Sequence, residues 1–342
     1  MPMRFLLSVS LGVSLAGVSL AGVAMADVPK VATDITPVQS LVARVMQGVG
    51  APEVIVRPGA SPHGYAMRPS EAAALEQADL VFWMGEGLTP WLEGAIESLA
   101  SEAHVVELLG AAGSQVLPFR EGVEFAAHEH GEEHGEDHAE DHGEDHAEDH
   151  AEEEAGHADA HDHDHDHDHE GADPHAWLAP ENARAWMRLI AEELAEHDPD
   201  NAAAYAANAE AGQAELEALS QEIAAELAPV QDKPFLVFHD AYQYFENAFD
   251  VTAAGAIALG DAAAPGPARV AALRDMAEAR GIQCVFSEPQ FDPKLVETVF
   301  GDAATHGVLD PMGSQLEPGP GLYPQMLRDM AGAMATCLGG AS

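Results

Sequence analysis

Twice along this chain short apolar runs alternate with amphipathic stretches, and between the two rounds lies one unbroken helical pattern from about Ala202 to Leu227. The first round reads Val31-Ala32-Thr33, helical Val38 to Gln47, Val54-Ile55-Val56, helical Ser70 to Gln77, Leu80 to Trp83, helical Pro90 to Leu99, then Val105-Val106. After an interruption it resumes at Asp173-Pro174-His175-Ala176-Trp177-Leu178 and a helix from about Pro180 to Glu196, with proline well placed in its first turn. The second round reads Phe235 to Phe238, helical Tyr242 to Phe249, Val251 to Leu259, helical Pro267 to Arg280, Cys284 to Phe286, helical Pro293 to Phe300, Gly307 to Leu309 and a last helix from about Leu322 to Leu338. Alternation of this kind builds parallel sheets with helices on both faces. The expected class is therefore α/β, with two sheet domains facing across a cleft.

The long pattern is set off by Asp198-Pro199-Asp200, with Asp200 or Asn201 as the expected cap, and ends at Pro229. A helix of that length spans about 39 Å, enough to run along both halves. An ordinary surface helix of one domain is the competing reading.

Residues 1–26 combine Arg4, an apolar run from Phe5 to about Val23, and Ala24-Met25-Ala26, which reads as a secretory signal cleaved before Asp27. A transmembrane helix competes with that reading, but Ala, Gly and Ser dilute the run. No cysteine lies near the cleavage point, so no lipid anchor is expected, and the mature chain is placed free in a Gram-negative periplasm. The expected organisation is a first lobe over 27–199, a connecting helix over 200–228 and a second lobe over 229–342. Cys284 and Cys337 are the only cysteines. An exported pair is expected to form a disulfide; zinc ligation competes, without any Cys-x-x-Cys spacing to support it.

Thirteen of the 19 histidines fall between His128 and His169, a stretch without Lys or Arg. They are His128, His130, His134, His138, His142, His146, His150, His157, His161, His163, His165, His167 and His169, every fourth residue from His130 to His150 and alternating with Asp from His161 to His169. Neutral imidazole and carboxylate are ligands that Zn²⁺ accepts, so the segment reads as a metal-collecting tract within a loop of about 126–171. Its carboxylates supply about −20 of the formal charge of −45. Such a run cannot bury enough surface to offset chain entropy, and disorder without metal is expected. Many equivalent partial sites should hold several ions weakly, as an auxiliary reservoir and not the principal site. A merely solvated acidic run is the bland alternative, yet acidity alone does not require thirteen histidines. The negative charge argues against nucleic-acid partners and favours cations.

The candidate principal ligands stand where strand runs end. His63 follows Val54-Ile55-Val56, His239 and Asp240 follow Phe235 to Phe238, and Asp310 follows Val308-Leu309. Strand-end loops converge on the cleft of a parallel sheet. His175 stands just ahead of its helix. His104, His197 and His306 read as ordinary surface or hydrogen-bonded residues.

Several blocks resemble the zinc and manganese solute-binding proteins of ABC importers, the cluster A-I family. Gly59-Ala60-Ser61-Pro62-His63-Gly64-Tyr65 with Arg68-Pro69-Ser70 resembles that family's first ligand loop. Pro174-His175-Ala176-Trp177-Leu178 with Pro180-Glu181, and Phe238-His239-Asp240-Ala241-Tyr242 with Tyr244-Phe245-Glu246, resemble the second and third. Phe286-Ser287-Glu288-Pro289-Gln290-Phe291 and Leu309-Asp310-Pro311-Met312-Gly313 are similar to the last two blocks. The resemblance implies two (β/α)4 lobes, a rigid connecting helix, and one metal between the lobes held by His63, His175 and His239. A carboxylate stands at the third position in manganese-selective members, so His239 points to zinc. For the fourth ligand the resemblance offers Asp310 or water, since Pro62 stands where some members carry a glutamate. It also implies a disulfide between Cys284 and Cys337.

The function so implied is periplasmic capture of Zn²⁺ by a monomer and delivery to a membrane permease, with no catalysis. Rival readings are a manganese or iron carrier of the same family, a periplasmic zinc buffer or chaperone, and more remotely a zinc hydrolase using Asp240 or Glu288 as base. No His-Glu-x-x-His motif supports the last.

Overall fold

The protein, a computed structural model, is described over residues 28–120, 125, 171–258, 266–291, 294–301 and 304–340. The signal expected at 1–26 and the thirteen histidines of the tract lie outside the described residues.

The first sheet is built from β1 (Val31–Thr33), β2 (Glu53–Val54), β3 (Leu80–Trp83) and β4 (His104–Glu107), interleaved with α1 (Thr36–Val45), α2 (Pro69–Glu76) and α3 (Pro90–Leu99). All its pairings are parallel, in the order β2-β1-β3-β4. Helix α4 (Pro180–His197) and the long α5 (Ala202–Leu227) follow. The second sheet repeats the plan with β5 (Phe235–His239), β6 (Ala253–Ala258), β7 (Cys284–Ser287) and β8 (Thr305–Val308), parallel in the order β6-β5-β7-β8, with α6 (Gln243–Phe249), α7 (Pro267–Arg280), α8 (Lys294–Phe300) and α9 (Leu322–Gly339). Of the run Val54-Ile55-Val56 only Val54 lies in the two-residue β2, although Ile55 and Val56 still donate their amides to Thr33 O and Asp34 O at 2.8 Å. β8 begins two residues ahead of the expected Gly307.

Side chains alternate across each sheet, as the two-residue period of a strand requires. Leu80 and Phe82 point into one large core while Val81 and Trp83 face a satellite cluster with Ile55, Leu75, Leu92 and Ile96. Phe235 and Val237 join the same large core, and Leu236 and Phe238 face a second satellite with Ile257, Leu273 and Val285. The inner faces of both sheets thus share one hydrophobic core, which resists wide separation of the lobes.

Helix α5 buries Tyr205, Ala209, Gly212, Leu216, Leu219, Ile223 and Leu227, a stripe at spacings of three and four along one face. That stripe packs against α1, α4 and α9, so the helix serves both halves. Gly212 is required where α4 crosses: a Cβ there would stand 2.6 Å from Met187 Sδ. The expected side-chain cap at Asn201 is not made. Asn201 Nδ2 instead donates to Asp198 Oδ2 at 2.7 Å, inside the turn that breaks the chain. Cys284, which opens β7, is bonded to Cys337 of α9 with Cα atoms 6.0 Å apart, which excludes both from metal ligation.

Candidate metal centre

His239 is the last residue of β5 and is only 4% exposed. Its Nδ1 lies 2.5 Å from Glu288 Oε1, a buried carboxylate that directly follows β7. His175, 5% exposed, sets its Nδ1 2.7 Å from Asp173 Oδ1, which also accepts the His175 backbone amide at 3.0 Å. A carboxylate facing Nδ1 selects the tautomer protonated there and turns the Nε2 lone pair inward.

The two Nε2 atoms lie 3.4 Å apart. With both Nδ1 protons committed to carboxylates, two lone pairs face each other across that gap and call for a cation. Tetrahedral zinc with Zn–N bonds of about 2.0–2.1 Å separates its nitrogens by about 3.4 Å. The third imidazole, His63, is half-buried, with ring centroids 5.4 Å from His175 and 6.4 Å from His239. One ligand atom from each of His63, His175 and His239 lies within 4.8 Å of the others, and this is the only such group among the described residues. Phe291, Tyr242 and Trp177 approach the rings and give the site an aromatic wall.

The loop carrying His63 is held on both sides. Trp91 Nε1 donates to Pro62 O at 2.7 Å, and Tyr65 links Arg57 to Glu71, whose other carboxylate oxygen accepts the Arg68 amide and caps α2. Asp310, expected as a fourth ligand, is not part of the three-histidine group. Its Oδ2 accepts from Ser314 Oγ at 2.7 Å and its Oδ1 from Met312 N at 3.3 Å. The loop nevertheless borders the site, because Trp177 Nε1 donates to Pro311 O at 2.8 Å. Ser314 Cβ also lies 4.0 Å from the position a Cβ would take on Gly59.

The carboxylates named for a hydrolase are otherwise engaged. Glu288 orients His239, and Asp240 is paired with Arg120. Asp173 and Arg120 are the site-linked residues to which sequence reasoning assigned no role. His104 pairs with Glu193 at 2.9 Å beside His197, away from the cleft.

A protein-family model for ZnuA, described as zinc-uptake complex component A, periplasmic, matches residues 31–337. The chain belongs to the ZnuA family. Within that family, the high-affinity zinc uptake system protein ZnuA of Brucella abortus (strain 2308) is 51% identical over 309 residues, covering 90% of this chain and 91% of the relative. ZnuA of Paracoccus denitrificans (strain Pd 1222) is 50% identical over 315 residues, covering 92% and 93%. A crystal structure of ZnuA aligns with a TM-score of 0.69 at 23% identity, over 91% of this chain and all of that one, and shows the shared fold.

Proposed function

We propose that this chain captures Zn²⁺ in the periplasm and delivers it to the membrane permease of an ABC importer. The observation that carries the reading is the 3.4 Å separation of two buried Nε2 atoms, each oriented by a carboxylate, with His63 closing the third corner. Nitrogen-rich sites suit Zn²⁺, whereas manganese takes carboxylate and water. Asp310 is the proposed fourth ligand, reached by a turn of its carboxylate away from Ser314. Three neutral imidazoles and one carboxylate leave the ion with a net positive shell, and the aromatic wall keeps competing water away.

Capture involves no bond-making in a substrate. The shared core and α5 restrict hinge opening, so release is a small tilt or a rearrangement of the His63 loop. A permease can drive release only by preferring the open form. Residues 1–26 act as the export signal, and the mature chain works as a monomer. No helix among the described residues is long and apolar enough to cross a membrane. The histidines of 128–169 act as a weak, exchanging reservoir that raises zinc concentration near the cleft.

Metal analysis of protein purified without added metal, followed by competitive loading with zinc, manganese and iron, tests the reading. Zinc should fill one tight site and displace the others; preferential manganese retention would overturn it. Impaired growth of a gene-deletion strain under zinc starvation separates uptake from simple buffering.

A further inference from the structure

Between the two lobes runs a short stem whose polar contacts the metal chemistry above leaves unused. Gln115 is fastened to the first lobe by a reciprocal amide pair with Asn182 of α4, at 2.6 and 3.0 Å. Two residues later the chain meets the second lobe. Tyr244 of α6 accepts the Leu117 amide at 2.9 Å through its hydroxyl and donates to Asp173 O at 2.8 Å. Leu117 to Phe119 pair with Gly171 to Asp173 as a two-strand ladder, through Asp173 N to Leu117 O, Phe119 N to Gly171 O and the Pro118–Ala172 bridge.

Arg120 follows on this stem. Its Nε donates to both oxygens of Asp240 at 3.0 and 3.1 Å, and its Nη1 and Nη2 donate to the two oxygens of Glu246 at 2.8 Å each, with a further contact from Nη2 to Asp240 Oδ1. The Phe125 ring covers the guanidinium at 3.9 Å, and Phe125 N donates to Ala254 O on β6. Glu246 is fully buried and also accepts the Ala253 amide at 3.0 Å. Burial pushes the Glu246 carboxyl up, opposed by Arg120, while the two acids hold the guanidinium proton above its ordinary range despite burial. One cation from the first half of the chain therefore satisfies two carboxylates of the second lobe.

The placement of those carboxylates gives the clamp its meaning. Asp240 directly follows His239, and Asp173, on the other strand of the stem, orients His175. We infer that Arg120 is a positioning residue for zinc retention: by clamping the segment 239–246 onto the stem that carries Asp173, it fixes the His175–His239 separation and slows release of the ion. This inference rests on the metal-site reading above. An ordinary structural ion pair would contribute to folding without setting the release rate.

The test uses the full chain in two forms. Arg120→Lys keeps the charge and loses the planar fork. Arg120→Met with Asp240→Asn and Glu246→Gln removes the clamp without leaving a buried charge uncompensated, so it is expected to fold. Wild type and His239→Ala run alongside: a wild type with no tight zinc lost in His239→Ala would sink the metal-site reading, a result distinct from those below. For both Arg120 variants the slowest phase of chelator-driven zinc release is expected to quicken about tenfold, at the lower end of what loss of an outer-shell partner does to metal affinity. The association rate should stay within about twofold, and the visible spectrum of the Co²⁺-loaded cleft should shift. A lowered apo melting temperature with an unchanged slow release phase and an unchanged cobalt spectrum would reduce Arg120 to a structural ion pair and overturn the inference.

Discussion

In the second lobe the candidate ligand His239 is the last residue of a strand; in the first lobe His63 stands on a loop nine residues beyond β2, and His175 only precedes α4. The sheets have the same strand order, yet they reach the cleft in different ways. His239 and His175 are buried and oriented by carboxylates, whereas His63 is half-buried and rides on a loop tied down by Trp91 and Tyr65. The difference suggests the division of labour proposed for the site: the buried pair would set the ion's position, and the less buried loop imidazole would be the corner that yields when the ion leaves.

Removing a ligand carries the largest expected effect. His175→Ala and His239→Ala should each lower zinc affinity by about 1,000-fold or more, since a third or so of the binding free energy of a structural-type zinc site goes with one ligand. His63→Ala should cost about 100-fold. Competition with a chromophoric chelator ranks the three, and equal losses would end the distinction between fixed pair and mobile corner.

Acid provides the next test. Ligation needs all three imidazoles deprotonated, and free histidine titrates near 6.5, so protons compete increasingly as pH falls through that value. Affinity should drop by about 100-fold or more between pH 7 and pH 5. Isothermal titration across that range checks it, and flat binding would exclude a three-imidazole site.

The orienting carboxylates come third. Glu288→Gln and Asp173→Asn should each weaken zinc binding by about 10-fold to 100-fold while the fold persists. A loss confined to one of them would show that only one of the buried imidazoles is held by its partner. Deleting 128–169 should have the smallest effect on the cleft. Fewer ions should bind in total, with the tight site unchanged within about twofold; equilibrium dialysis counts them, and loss of the tight site would join two functions kept apart here.

Asp34 accepts the Ile35 and Met84 amides at 2.7 Å each, yet full burial outweighs these bonds and pushes its carboxyl up to about 7. A raised folded value means the native state holds the proton where the unfolded chain has lost it, so the stabilisation is present in acid and lost as pH rises through about 7. Asp34→Asn should therefore gain on the wild type in apo stability as pH goes from 5 to 8, by denaturant titration; parallel curves would contradict the assignment.

Much of the architecture was legible in the residues. Alternation marked every strand and helix, and Pro90, Pro180, Pro267 and the Asp198-Pro199 break fixed several boundaries closely. Strand-end position singled out His63, His239 and Asp310, and the Pro-His-Ala-Trp block singled out His175. What stayed hidden depends on partners far apart in sequence. Glu288 finds His239 across 49 residues and Arg120 finds Asp240 across 120, distances over which no periodicity carries information. Asp173 stands two residues from His175, and that spacing is the one local signal the sequence offers. At Asn201 the side-chain amide is turned toward the preceding break by its Nδ2 bond to Asp198 Oδ2, and it makes no cap.

Zinc K-edge absorption on the chain lacking 128–169, loaded with one equivalent of zinc, counts the imidazoles on the ion. Three imidazole nitrogens and one oxygen at about 2.0–2.1 Å are expected, falling to two nitrogens in His63→Ala. A shell with one imidazole or none, or one unchanged by that substitution, would contradict the three-histidine site.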